Sequence, residues 1–181
     1  MKKTALILLL GILIINLSGC LIFKKVGYDI KIGENGNGSV VMSIEDIKSD
    51  AVGNKEFEED KTALFEHMWK SNAFLEDMKY EGKVITEREL YVENDLLMGK
   101  VKYNFEDITR VEGIQKQDGF YFLTLDLKDS VVTTNGEVIY SDEHKRIIWD
   151  EKETNLKFEM LPDYTPAALR DLAPFLKQQE K

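Results

Sequence analysis

Few side chains in this chain could do covalent or acid–base chemistry. There is one cysteine, Cys20, and there are two histidines, His67 and His144. The histidines lie in different sequence contexts, one inside a helical pattern and one in a charged turn. No His-Glu-x-x-His pattern and no strained nucleophile turn is present. Runs such as Glu58-Glu59-Asp60 and Asp142-Glu143 could in principle serve as acid–base groups or calcium ligands. Adjacent carboxylates at helix starts and turns are normally solvated surface, and the spacing of a calcium loop is missing. No catalytic residue, metal ligand or cofactor is expected, and an enzyme is the least favoured class.

The informative position is Cys20 itself, which ends the segment Leu17-Ser18-Gly19-Cys20. Before it stand a basic head, Lys2-Lys3, and an apolar run from Thr4 to Leu17. A charged start, a short apolar stretch and small residues at the cut site describe an export signal. The run is short for a membrane-spanning helix, which needs about 20 apolar residues. The segment resembles the lipobox of bacterial lipoproteins. The resemblance implies that a diacylglycerol is attached to the thiol, that the chain is cut before Cys20, and that the product faces the periplasm or exterior of a bacterial envelope. Leu21, rather than Asp, follows the cysteine, which in a two-membrane envelope resembles lipoproteins sorted to the outer membrane. The competing reading is an uncleaved anchor helix running on through Leu21, Ile22 and Phe23. The expected organisation is a leader over 1–19, a short lipidated tether over 20–25 and one domain over 26–181.

A single acyl chain holds a protein only marginally, with each buried methylene contributing about 0.8 kcal/mol, so lasting attachment takes two or more chains. With one cysteine no intrachain disulfide can form, which suits an exported protein whose only thiol is taken. The formal net charge is −9, and losing Lys2 and Lys3 with the leader lowers it by two more. Such acidity argues against nucleic acid as a partner, because phosphate binding needs clustered Lys and Arg. It also leaves membrane attachment to the acyl chains, with only Lys24 and Lys25 beside the anchor.

The elements that must position everything else follow from hydrophobic period. Tyr28, Ile30 and Ile32 alternate with polar residues, as do Val40, Met42 and Ile44, and the "GENGNG" between them predicts a hairpin turn. Asn54 predicts a helix cap, with acidic residues in the first turns where the helix dipole favours them. Phe57, Leu64, Met68 and Leu75 form the apolar stripe of a helix reaching about Lys79, with Phe65 and Met78 on its edges and Trp69 and Phe74 off its centre. Period-two segments follow: two around the turn Asn94-Asp95, then "GFYFLTLDL", "GEVIYS", "RIIWDE" and "NLKFEML". Asn135-Gly136 reads as a further hairpin turn. A tail helix is expected to open at Thr165-Pro166 and to kink at Pro174. The expected fold class is α+β: a curved antiparallel sheet of about seven or eight strands packed on one long helix, with a C-terminal helix.

The segments "GKVKYNFEDITRV" (Gly99–Val111) and "VVTTNGEVIYSDEHKRIIWD" (Val131–Asp150) resemble the LppM-type domain of bacterial envelope proteins. The likeness rests on Phe105 before an acidic turn, Asn135-Gly136, and Trp149 in a strand. Members of that family often finish in a transmembrane helix, whereas this chain ends Lys177-Gln178-Gln179-Glu180-Lys181. The resemblance implies a half-barrel with an apolar cavity of the kind that holds lipid-like ligands. Two functions compete. A binding module for an apolar envelope ligand predicts a cavity lined by Phe65, Met68, Trp69, Tyr121 and Trp149. An envelope adaptor acting through protein contacts predicts an exposed apolar patch or an open sheet edge instead.

Overall fold

The period-two segments become strands, and the strands are more numerous than the sequence reading allowed. In the computed structural model, which describes residues 20–162 and 168–179, the order is β1 (Leu21–Ile32), β2 (Gly38–Ser49), α1 (Asn54–Lys61), a π-helical run (Thr62–Lys70), α2 (Asn72–Tyr80), β3 (Lys83–Glu93) and β4 (Leu96–Phe105). A 3₁₀ turn (Ile108–Arg110) leads to β5 (Gln115–Gln117), β6 (Phe120–Leu125), β7 (Ser130–Thr134), β8 (Glu137–Tyr140), β9 (Lys145–Asp150) and β10 (Asn155–Leu161). After the second described segment begins come β11 (Arg170–Asp171) and α3 (Ala173–Gln179).

All pairings are antiparallel. The larger sheet runs β3-β4-β2-β1-β10-β7, with β11 added to the end of β2, and the smaller runs β5-β6-β9-β8. The fold is therefore mostly β, 51% strand against 22% helix, and the expectation of one sheet packed on one long helix is wrong. The physical reason is that a second sheet, not a helix, covers half of the large one. The long helix is itself interrupted. It winds as α then π to Lys70 and stops at Ser71, whose hydroxyl accepts from the Ala73 amide to cap α2.

Two cores sit on one face of the large sheet. In β4, Leu97, Val101, Tyr103 and Phe105 point the same way, as alternation requires. Leu97 packs with the helices, alongside Phe57, Leu64, Phe65 and Leu172. Tyr103 and Phe105 pack instead under the small sheet, against its Tyr121, Ile147 and Trp149 and beside Phe158 of β10. The β1–β2 hairpin crosses from one core to the other. Its inward residues are Val40 and Met42 in the first core and Ile47 in the second, a change of parity. The change falls at Asp46, which takes φ 58° between the pairs Lys25↔Glu45 and Phe23↔Ile47. Asp accepts this left-handed conformation more readily than branched residues do.

Other local expectations are revised. Gly53, not Asn54, is the cap of α1, and the Asn54 side chain accepts from Arg170. Asn135-Gly136 is not a hairpin turn: β7 pairs with β10 in the large sheet and β8 with β9 in the small one, so the dipeptide carries the chain between sheets. A side chain at Gly136 would place its Cβ 2.6 Å from Trp149 Nε1, so close packing demands glycine there. Pro174 does not kink a helix; it lies in the first turn of α3, where a missing N–H costs nothing. The expected start at Thr165-Pro166 lies outside the described residues.

Candidate functional site

A small apolar recess lies where the two cores meet. Its sheet side is Phe23, Ile44, Ile47, Gly99 and Val101, and its helical side is Leu64, Met68, Trp69 and Phe74. The volume is about 80 Å³. A dry apolar cavity of about 150 Å³ takes benzene, so this one admits the end of an alkyl chain as it stands. Gly99 keeps it open: a Cβ there would stand 3.2 Å from Ile47 Cδ1 and 3.5 Å from Ile44 Cβ, inside the space.

The helical side owes its shape to the π-helical run. Winding i→i+5 turns each residue less than an α-helix does. It brings Trp69, which the 3.6-residue period puts off the stripe, round toward the sheet. Trp69 meets Phe65 edge-on at a centroid distance of 6.4 Å. The run ends on Arg88 of β3, whose Nη1 donates to the carbonyls of Met68 at 2.8 Å and Ser71 at 2.9 Å. Burial of this guanidinium pushes its pKa down from the ordinary value. One cation thus satisfies the carbonyls exposed where the helix breaks and walls one side of the recess.

The five sequence-derived ligand residues divide between the cores. Met68 and Trp69 line the recess. Phe65 is 1% exposed and sits behind Trp69 in the helical core. Tyr121 and Trp149 belong to the core between the sheets, 5% and 2% exposed, so the structure does not bring them to the same place. The Trp149 indole donates to Asn135 Oδ1 at 2.9 Å, which satisfies its N–H in the core. Phe74, which with Trp69 falls off the helical stripe and reads as an apolar lip for a ligand or partner, does line the recess. Arg88 and Gly99 were missed as lining residues and gave no signal in the sequence.

Two polar clusters stand apart from the recess. Glu58-Glu59-Asp60, read as solvated, splits: Asp60 is 2% exposed and accepts from Ser49 Oγ at 2.5 Å. Burial raises its carboxyl above the usual range, outweighing the serine hydrogen bond. At the other end of the large sheet, Glu112 takes Lys83 at 3.2 Å and lies 3.5 Å from the Tyr103 hydroxyl, with both charged side chains 12% exposed. Burial holds Tyr103 and Tyr28 well above the usual phenol range, so both stay protonated. Glu112 adopts φ 47°, and its carboxylate ties the 3₁₀ turn to the sheet. These groups bind one another and leave no converging set of free polar atoms for a substrate.

Cys20 is exposed and tied to the end of β2: its N–H donates to Asp50 Oδ1 at 2.8 Å, and its carbonyl accepts from the Asp50 amide at 3.2 Å. Burial and the nearby Asp50 and Asp60 charges raise its thiol pKa. Strand β1 begins at the next residue, so residues 21–25 of the short tether expected over 20–25 are strand. Among the described residues no group of three or more His, Cys, Asp or Glu is placed to hold a metal ion, and no helix is long and apolar enough to cross a membrane. The chain matches no protein-family model, no curated protein and no solved structure.

Proposed function

We propose that this chain is a lipid-anchored lipoprotein of the bacterial cell envelope, and that it acts without catalysis as a binding module for an apolar, lipid-like ligand. The observation that carries the ligand reading is the recess at the seam of the two cores: apolar on both sides, kept open by Gly99, and roofed by a π-helical run, a winding that is rare and often found at functional sites. Phe23, on its sheet side, is three residues along β1 from Cys20, about 10 Å at strand spacing. A ligand leaving the bilayer would meet the recess close to the anchor. At 80 Å³ the site takes a chain end, and a longer ligand requires the helical layer to lift.

The test is native mass spectrometry on protein that starts at Leu21 and is purified without detergent, then offered fatty acids and phospholipids. A bound species of defined mass, weakened in Gly99→Ala because the added methyl occupies the recess, is the expected result. An apo mass that takes up none of these lipids overturns the ligand reading.

A second reading, the envelope adaptor, draws on the outer face of the small sheet. There Phe120 and Ile139, 46% and 45% exposed, flank Phe122, Ile148 and Arg146 around an open depression of about 430 Å³. Arg146 lies 4.8 Å over the Phe122 ring, the apolar-plus-arginine composition of protein interfaces. In this reading the lipid test fails and the exposed Phe120 and Ile139 lead the contact surface.

A further inference from the structure

The lipid-anchor reading leaves open how the domain sits on its membrane, and the geometry around Cys20 bears on it. Three strand ends meet there. Leu21 pairs with Ser49 and Ser49 with Arg170, so the next row is Cys20, Asp50 and Leu169. The chain then turns through Ala51 and Val52 into α1. Val52 is 95% exposed, the most exposed large hydrophobic side chain among the described residues, and Leu169 is 38% exposed. Cys20 has no slack, since two hydrogen bonds hold it to Asp50.

We infer that this edge is a membrane-contact face: the domain stands on the bilayer surface with Val52 and Leu169 pressed into the lipid beside the acylated Cys20. The inference rests on the lipid-anchor part of the proposal above and is independent of the ligand reading. An acyl anchor attached to a rigid strand end cannot let the domain drift away, so whatever surrounds Cys20 is held at the interface. An exposed valine costs free energy in water and gains it in acyl chains. Lys55 and Arg170 belong to this end of the fold, but so do Asp50, Glu56 and Asp171, so charge does not drive the contact and the apolar side chains must. The sheet then rises from the membrane along β1 and β2. Its far end, where Gly38 pairs with Phe105 and Phe105 with Lys83, stands roughly 35 Å out at strand spacing. Tyr80, 89% exposed, precedes that far end.

The experiment uses the full chain, lipidated by a bacterial host and reconstituted into vesicles of phosphatidylethanolamine and phosphatidylglycerol. Cys20 is the only cysteine, so once it is acylated, Val52→Cys or Tyr80→Cys supplies the only free thiol for an environment-sensitive fluorophore. Intact mass first establishes the state of Cys20. The expected result is blue-shifted emission at position 52, quenched by nitroxide-bearing lipids, and water-like, unquenched emission at position 80. Diacylglycerol on Cys20 with both fluorophores in water overturns the seating and leaves the anchor standing. Equal quenching at both positions overturns the upright orientation. A bare thiol, or a retained leader, overturns the anchor reading and the seating with it.

Discussion

Asp60 shows how a residue can look like surface and be core. It follows two glutamates, and composition alone marks all three as solvated. Its carboxyl is buried against β2 by the Ser49 hydroxyl, whose oxygen also accepts from the Ala51 amide. Burial is the largest cause of its raised pKa, so the folded state binds a proton more readily than the unfolded chain. By linkage, this carboxyl costs stability as pH rises from the ordinary carboxylate range through the raised folded value, and the cost is relieved on acidification. Asp60→Asn keeps an acceptor for Ser49 and removes the charge. Its melting temperature at pH 7 should equal or exceed that of the parent. Its melting temperature should also vary less as pH rises from the ordinary carboxylate range. Circular dichroism melts across that range check both, and a clear loss of stability at pH 7 would show that the ionised carboxylate is needed. Gly136 makes the complementary point. Its sequence context signals a turn, yet what requires glycine is the Trp149 indole packed against it.

At the scale of elements, the helical stripe was legible and the helix was not. Phe57, Leu64 and Phe65 are buried as an amphipathic pattern requires. The change to π winding and the stop at Ser71 follow from contacts with β3, through Arg88. Removing that guanidinium leaves the Met68 and Ser71 carbonyls without their donor. Arg88→Ala should destabilise the fold by about 2 kcal/mol, within the range for hydrogen bonds from charged groups. Amide hydrogen exchange should rise across 62–80 more than in β1 or β2. Uniform exchange across the fold would mean that Arg88 does not hold the helical layer separately. Hairpins were the easiest elements to read: Asn94 and Asp95 have φ 50° and 62°, as a two-residue turn with two left-handed positions requires.

Across the whole molecule, the two cores share strands β1, β2 and β4. Tyr28 and Ile30 belong to the sheet–sheet core, Ile47 to the helical core, and Phe23 touches both. A hairpin that runs through both cores couples them, so urea unfolding should show one transition. Phe65→Ala should cost about 3–5 kcal/mol and move the tryptophan fluorescence and far-ultraviolet midpoints together. Separate midpoints would mean that the helical layer unfolds on its own. The sequence alone determined the features that are local in the chain: the acidity, the β1–β2 and β3–β4 hairpins and most strand positions, because turn chemistry and hydrophobic period act over a few neighbouring residues. Tertiary structure alone decided that the strands split into two sheets, that Asn135-Gly136 crosses between them, that Asp60 is buried, and that Met68 and Trp69 face a recess which Tyr121 and Trp149 do not share. Each of these depends on contacts between residues far apart in the chain, and period and composition carry no record of which strand pairs with which.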